Sequence, residues 1–227
     1  MINIAIDGPS GAGKSTIAKA VAKKKGYIYV DTGALYRSIG LWVARKGIAK
    51  DDKDSVIVEL GSITLELGYV EGTQRVYLNG EDVSDLIRTP EISMYASAVS
   101  AIPEVRAFLL DLQRDMAKKH NVIMDGRDIG TVILPDATVK IFMTASPEGR
   151  AKRRYKELTE KGIETTYEDV LTDMIERDKN DSTRDIAPAI PAEDAIHFDN
   201  SADGIDQSVD ELIEIIDKAI EKGKENV

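Results

Sequence analysis

The sequence predicts an α/β fold built on a parallel sheet, with one small antiparallel insertion. Three observations predict it. Short apolar, β-branched runs alternate with segments of helical length and composition. A glycine-rich loop joins the first such run to the first such helix. One segment alone, residues 62–87, alternates apolar with polar residues. Neighbouring parallel strands need a crossover, and the usual crossover is a helix, so strand–helix alternation reads as a parallel sheet.

Taken in order, "INIAID" (2–7) and "YIYV" (27–30) are buried-strand runs. The helix between them, 14–25, stops at Gly26, a C-cap signal. "NVIM" (121–124), "VKIFM" (139–143) and "AIHF" (195–198) bring the strands to five. "PEVRAFLLDLQRDMAKK" (103–119) opens with proline in the first turn and keeps an apolar stripe. Residues 205–222 place Ile205, Val209, Leu212, Ile213, Ile216, Ala219 and Ile220 on one face, a closing helix laid on the sheet. The tail "KGKENV" is expected to fray. In the segment 62–87, Glu71-Gly72 and Asn79-Gly80 mark hairpin turns between two or three strands that must lean on a core.

With 227 residues, 42% apolar and 31% charged, the chain has the composition of an ordinary soluble enzyme and enough length for one domain with insertions. The lack of cysteine excludes disulfides, zinc thiolates and thiol nucleophiles, and fits a cytoplasmic location. No run approaches the length of a membrane span, and Met1 leads directly into a strand rather than a signal peptide. A net charge of −10 argues against a nucleic acid polymer as partner, though not against a small anion met by a local arginine cluster.

"GPSGAGKST", the residues Gly8, Pro9, Ser10, Gly11, Ala12, Gly13, Lys14, Ser15 and Thr16, fits G-x-x-x-x-G-K-[ST] between a strand and a helix. Chance would place this pattern in roughly one chain per hundred of this length, before the strand–helix context is counted. Glycines let backbone N–H groups turn inward on phosphate oxygens, with the positive helix end behind them. Lys14 is expected to reach the β- and γ-phosphates of a nucleoside triphosphate, and the Ser15 hydroxyl to join a Mg²⁺ shell.

"MDGRD" (124–128) then places three charges at a strand end. Asp125 is positioned to hold a magnesium-bound water if its strand lies beside the first. A simple capping role for Asp125 leaves Arg127 and Asp128 unexplained. "DTGALYR" (31–37) and "ERDKNDSTRD" (176–185) raise the same question. By default a mixed charge run is a solvated helix face, and "RAKRRYKELTEK" (150–161) taken alone reads as an exposed basic helix. His120 reads as a helix-end residue, His197 as a satisfied buried histidine and Trp42 as packing.

Together, "GPSGAGKST", "DTGALYR", "ASAVSAIPEVR", "MDGRDIGTVILPDA" and "ERDKNDSTRDIAP" resemble bacterial cytidylate kinase over roughly residues 2–220. The resemblance implies a P-loop, adenylate-kinase-like core with five parallel strands and ATP, CMP or dCMP, and Mg²⁺ as reactants and cofactor. It implies a core of residues 1–35, 98–147 and 186–227, a nucleoside-monophosphate-binding insertion at 36–97, and a lid with its arginine-bearing helix at 148–185. Thr32, Arg37, Ser97, Arg106, Arg127, Asp128, Arg177, Asp181 and Arg184 match the acceptor-site pattern, with Asp181 expected to pair with Arg184. Lys14, Arg127, Arg153, Arg177 and Arg184 would neutralise transferred charge; Arg150 and Arg154 compete with Arg153 for the lid role. Thr32 stands where many members carry serine. A monomer acting without a membrane partner is the expectation. Another small-molecule kinase explains the phosphate loop but not the Ser97, Arg106 and Asp128 set. A nucleotide-dependent switch has no use for a second phosphate-binding set.

Overall fold

A computed structural model describes residues 1–201 and 204–225. In chain order the strands are β1 (Asn3–Asp7), β2 (Ile28–Asp31), β3 (Leu65–Val70), β4 (Thr73–Leu78), β5 (Glu81–Asp82), β6 (Val122–Asp125), β7 (Val139–Thr144) and β8 (Ile196–Asp199). The first helices are α1 (Lys14–Lys25), α2 (Thr32–Arg45), α3 (Lys53–Glu59) and α4 (Pro90–Val99). The later ones are α5 (Pro103–Lys119), α6 (Pro147–Glu160), α7 (Tyr167–Thr183) and α8 (Ile205–Glu225). The chain forms two compact units, Met1–Tyr29 with His120–Val227, and Val30–Lys119.

The larger unit is organised by a five-stranded sheet in the order β2-β6-β1-β7-β8. All five expected strands are present, and β1 pairs in parallel with both β6 and β7. The register sets Ile6 opposite Asp125, so the carboxylate of β6 emerges beside the loop that follows β1. α1 ends at Gly26 in the left-handed region (φ 67°), where glycine carries no Cβ penalty.

α8 is held on the core through Val209, Leu212 and Ile216, which are buried with Ile4, Ile6, Ile17, Val21 and Phe198. Each such side chain contributes roughly 1.5–3 kcal/mol of burial. The exposed Lys24–Asp210 ion pair contributes at most about 1 kcal/mol, so the apolar stripe decides the docking. One expectation for this helix is corrected: Ile205 lies at its first turn and is 59% exposed. α8 extends to Glu225, and the expected fraying of "KGKENV" falls partly outside the described residues. Asn226 and Val227 lie outside the described residues.

His197 is also corrected. It sits exposed on β8, an edge strand, with its ring 5.8 Å from that of Phe142. α6 and α7 share a small core of Ala151, Leu158, Val170 and Met174. Their N-termini are capped by Ser146, accepting from the Gly149 N–H, and by Thr166, accepting from that of Asp169.

In the smaller unit, the 62–87 segment forms the three-stranded antiparallel sheet β3-β4-β5. Glu71 (φ 50°) and Gly72 (φ 75°) join β3 to β4 with positive φ at both positions, the two-residue turn whose twist suits a hairpin. Its core runs from Leu35 and Ile39 of α2 through Val76 and Leu78 to Val105 and Leu109 of α5. A Cβ on Gly40 would lie 3.0 Å from the Ala96 nitrogen, so glycine permits the close approach of α2 and α4. Trp42 is half-buried here and donates to Glu59 at 2.7 Å.

Candidate active site

The loop after β1 is built around glycine. A Cβ on Gly8 (φ 143°) would fall 1.9 Å from the carbonyl oxygen of Met143, a clash no side chain relieves. Gly11 (φ 72°) and Gly13 (φ 95°) continue the turn into α1. Lys14 is buried and folds back on the loop, its Nζ donating to the carbonyls of Gly8 and Pro9, both at 2.7 Å. Burial pushes its pKa down to about 7, and the neighbouring positive charge of Arg127 pushes the same way; Asp125 and Asp7 oppose them, and Arg177 adds a further downward push.

Ser15 Oγ donates to Oδ2 of Asp125 at 2.8 Å, and the Tyr29 hydroxyl donates to Oδ1 at 2.7 Å. A hydroxyl and a buried carboxylate side by side, next to the phosphate loop, are the hard oxygen donors that Mg²⁺ prefers. The residues therefore fit that ion. Among the described residues no group of three or more His, Cys, Asp or Glu is arranged to hold a metal alone.

The "DGRD" stretch leaves the sheet smoothly, since the Gly126 N–H still bonds to Ile6 at 3.0 Å. Arg127 donates from Nε to Asp181 at 3.0 Å and from Nη1 to the Gly126 carbonyl at 3.2 Å. Asp128 is buried and opens a π-type turn over Ile129–Ile133, in which the Ile133 N–H reaches the Asp128 carbonyl at 3.2 Å. Arg184 brings Nη2 to 3.8 Å from Asp128 Oδ1 and donates from Nε to the Ala187 carbonyl at 2.8 Å. Asp181, expected to pair with Arg184, also accepts a hydrogen bond from Arg127. Burial pushes the Asp181 carboxyl up, but Arg127, Arg177 and Arg184 outweigh it and hold the pKa below the usual range.

α6 divides its arginines among three tasks, and the reading of a uniformly exposed basic helix is corrected. Arg150 is buried. It donates to the carbonyls of Ala145 (3.0 Å) and Ser10 (2.8 Å), and pairs with Asp178 at 2.6 Å. Asp178 also accepts from the Ser10 N–H at 3.3 Å, so the pair clasps the phosphate loop from both sides of one residue. Arg153 donates to the Asn200 carbonyl at 2.9 Å, and its Nη1 would lie 3.5 Å from a Cβ on Gly13. Arg154 pairs along its own helix, with Glu157 at 2.8 Å.

In the smaller unit, Asp31 caps α2 by accepting from the Ala34 N–H at 2.9 Å, and its other oxygen accepts from Arg37 at 2.8 Å. Arg37 is therefore pinned back onto the N-cap of its own helix, six residues earlier. Arg106 lies over the Tyr36 ring, 5.6 Å from its centroid, and donates to the Ser100 carbonyl at 3.2 Å. Thr32 is buried and Ser97 half-buried, the latter accepting at its carbonyl from Ser100 Oγ at 2.8 Å.

Sequence reasoning missed Asp7, Asp31, Asp178 and Asn200. Only Asp31 carried a usable signal, an aspartate at the N-cap position before a helical run. Asn200 donates to the Ala12 carbonyl at 2.7 Å and accepts from Ser208 at 2.8 Å, a long-range link that no local pattern announces.

The cytidylate kinase family profile matches residues 4–218. The chain belongs to the cytidylate kinase family. It is 52% identical to the cytidylate kinase of Caldicellulosiruptor saccharolyticus over 219 residues, covering 96% of this chain and 97% of the relative. It is 48% identical to that of Fervidobacterium nodosum over 214 residues, covering 94% and 95%. Among solved structures, a gluconokinase from Sinorhizobium meliloti superimposes with a TM-score of 0.51 at 15% identity, covering 99% of this chain and 97% of that one. A shikimate kinase from Bacteroides thetaiotaomicron gives 0.50 at 14%, covering 95% and 98%. At such identities the likeness is one of fold, and this cytidylate kinase family member has the P-loop kinase fold.

Proposed function

We propose that this chain transfers the γ-phosphate of ATP to CMP or dCMP, giving ADP and CDP or dCDP. One observation carries the phosphoryl-transfer reading. Within the larger unit Lys14 is buried, and the charges of Arg127 and Arg177 further depress its pKa toward 7. Cations gathered so closely repel one another, and an anionic ligand relieves that cost. Family membership supplies the acceptor.

In this reading Gly8–Thr16 wrap the triphosphate. Ser15 directly and Asp125 through water would hold Mg²⁺, which neutralises phosphate charge when bound. Arg37, Arg127 and Arg177 grip the acceptor phosphate, since guanidinium forks match phosphate oxygens. Asp128 and Ser97 accept from the cytosine 4-amino group, Arg106 donates to N3 and O2, and Asp181 and Thr32 lie toward the sugar. An ionised carboxylate only accepts, so Asp128 favours an amino group over the 4-oxo group of uracil.

The attacking oxygen is already anionic on the acceptor phosphate, so no general base is required. An acceptor oxygen bonds to Pγ as the bond from Pγ to the bridging oxygen of ADP breaks. Lys14, Arg127, Arg153, Arg177 and Arg184 offset the developing charge. Residues 148–185 act as lid and arginine-bearing helix and 36–97 as the acceptor-binding insertion, on a core of 1–35, 98–147 and 186–227. No described helix is long and apolar enough to cross a membrane. We place the enzyme in the cytoplasm as a monomer, with no membrane or nucleic acid partner.

The test is a coupled assay of ADP formation with CMP, dCMP, UMP, AMP and dTMP in turn. CMP and dCMP are expected to give the highest kcat/KM. Equal turnover with all five rejects the assignment. Asp128→Asn is expected to reduce discrimination between CMP and UMP far more than it changes the KM for ATP.

A further inference from the structure

Asp7 has no task in the reaction described above, yet it is buried at the end of β1. Each carboxylate oxygen accepts one backbone N–H, Oδ1 from Ile129 and Oδ2 from Gly130, both at 2.8 Å. These are the two amides that follow Asp128. They open the π-type turn, where N–H groups have no partner within the turn itself. On the other side, the Asp128 carbonyl accepts from Val132 at 2.9 Å and from Ile133 at 3.2 Å. Backbone movement at Asp128 is therefore opposed from both directions.

The bland account is that Asp7 merely satisfies two buried amides. A single neutral acceptor on one of them, with water on the other, would do that at lower cost. A carboxylate costs more here. Burial raises its pKa to about 6, and the charge of Asp128 pushes the same way, against the two amides and Lys14. What the carboxylate adds is geometry: two converging amides on two oxygens of one planar group tie two successive peptide units, 128–129 and 129–130, to a single rigid acceptor. A Cβ on Gly130 would approach Asp7 Oδ2 at 3.4 Å and Lys140 at 3.2 Å, so the fit on this side is close.

We infer that Asp7 is a positioning residue for selection of the acceptor base: by holding the Ile129 and Gly130 amides it fixes the backbone that presents Asp128. The inference rests on the proposal that Asp128 reads the cytosine amino group. Asp7 itself touches no substrate in this account.

The experiment compares wild type, Asp7→Asn, Asp7→Glu and Asp128→Asn in kcat and KM for CMP, UMP and ATP. Asp7→Asn sets an amide donor against one of the two backbone N–H donors. The KM for CMP is expected to rise about tenfold and the CMP/UMP ratio of kcat/KM to fall about as much, the size of one buried group left unpaired. The KM for ATP is expected to stay within about twofold. A merely structural role would lower the melting temperature, or slow both acceptors alike, and leave the ratio unchanged; that result overturns the inference. If Asp7→Asn does not fold, Asp7→Glu decides. It keeps both acceptor oxygens but displaces them, so it should shift the same ratio, and an unchanged ratio again overturns the inference. A wild type without preference for CMP rejects the proposed function, and this inference with it. A selective wild type with a nonselective Asp128→Asn, alongside unaltered Asp7 variants, rejects this inference alone.

Discussion

The Nε of Arg127 donates to Oδ2 of Asp181 at 3.0 Å, tying the arginine at the end of β6 to the inner face of α7. The two residues are 54 positions apart. Charges of Arg177 and Arg184 also act on Asp181, so three guanidinium groups act on this one carboxylate.

Asp181→Ala removes that counter-charge. The Arg127 side chain retains 20% exposure, which moderates the penalty of an unpaired buried charge. The loss is expected to be about 2–3 kcal/mol in urea unfolding. Since the Asp181 pKa is depressed in the folded state, its contribution is present above the ordinary carboxylate range and fades as pH falls through the folded value. Wild type and Asp181→Ala should therefore converge in stability toward low pH. A constant difference across the acid range contradicts this assignment.

Arg150 and Arg154 lie one helical turn apart and should behave differently. Arg150→Met leaves Asp178 without its partner and frees the Ser10 carbonyl. Asp178 retains 22% side-chain exposure and the Ser10 N–H, which moderates the penalty, so the expected cost is about 2–3 kcal/mol with a raised KM for ATP. Arg154→Ala breaks only a surface pair with Glu157 and should cost less than about 1 kcal/mol. Thermal unfolding of both variants checks this, and similar losses would mean that Arg150 is not the anchor described.

Asp7 carries a pH signature opposite to that of Asp181. With a folded pKa near 6 against an ordinary 3.8, the folded chain holds this proton more tightly than the unfolded chain. Its contribution to stability is complete below the ordinary value and is lost as pH rises through about 6, by about 3 kcal/mol in all. Other carboxylates titrate in the same range in both proteins, so the measurement is a difference. Denaturant unfolding of wild type and Asp7→Asn from pH 4 to 7 should show the stability of the wild type relative to the variant declining with pH. A flat or rising difference contradicts the shift.

Much of the fold was legible in the chain because its signals are local. Gly8, Gly11 and Gly13 announce a loop that only glycine accommodates, and Gly26 ends α1 through its own φ. Glu71-Gly72 and Asn79-Gly80 specify hairpin turns, with positive φ at all four residues. The placement of Asp125 beside the phosphate loop was readable conditionally, needing only that β6 lie next to β1.

The candidate site was legible in its residue types and less so in its pairings. "RAKRRYK" contains three arginines at positions that composition treats alike, yet Arg150 is buried, Arg153 turns to Asn200 and Arg154 pairs with Glu157 one turn along. His197 sits in an apolar run that reads as core, yet it is exposed while its neighbour Phe198 is buried, since successive residues of a strand face opposite sides of the sheet. Which side of β8 is covered is a property of the assembled sheet, and no window around residue 197 contains it.

By itself the sequence determined the periodic and conformational features: five sheet strands, the phosphate loop, the hairpins and the acidic and basic residues available for chemistry. These depend on interactions over a few residues, where side-chain spacing and allowed φ are decisive. Tertiary structure alone decided which charges meet. Asp7 finds Ile129 and Gly130, Asp178 finds Ser10 and Arg150, and Arg127 finds Asp181. Coulomb energy and hydrogen bonding depend on distance and burial, and those are set by packing among elements that are remote from one another in the chain.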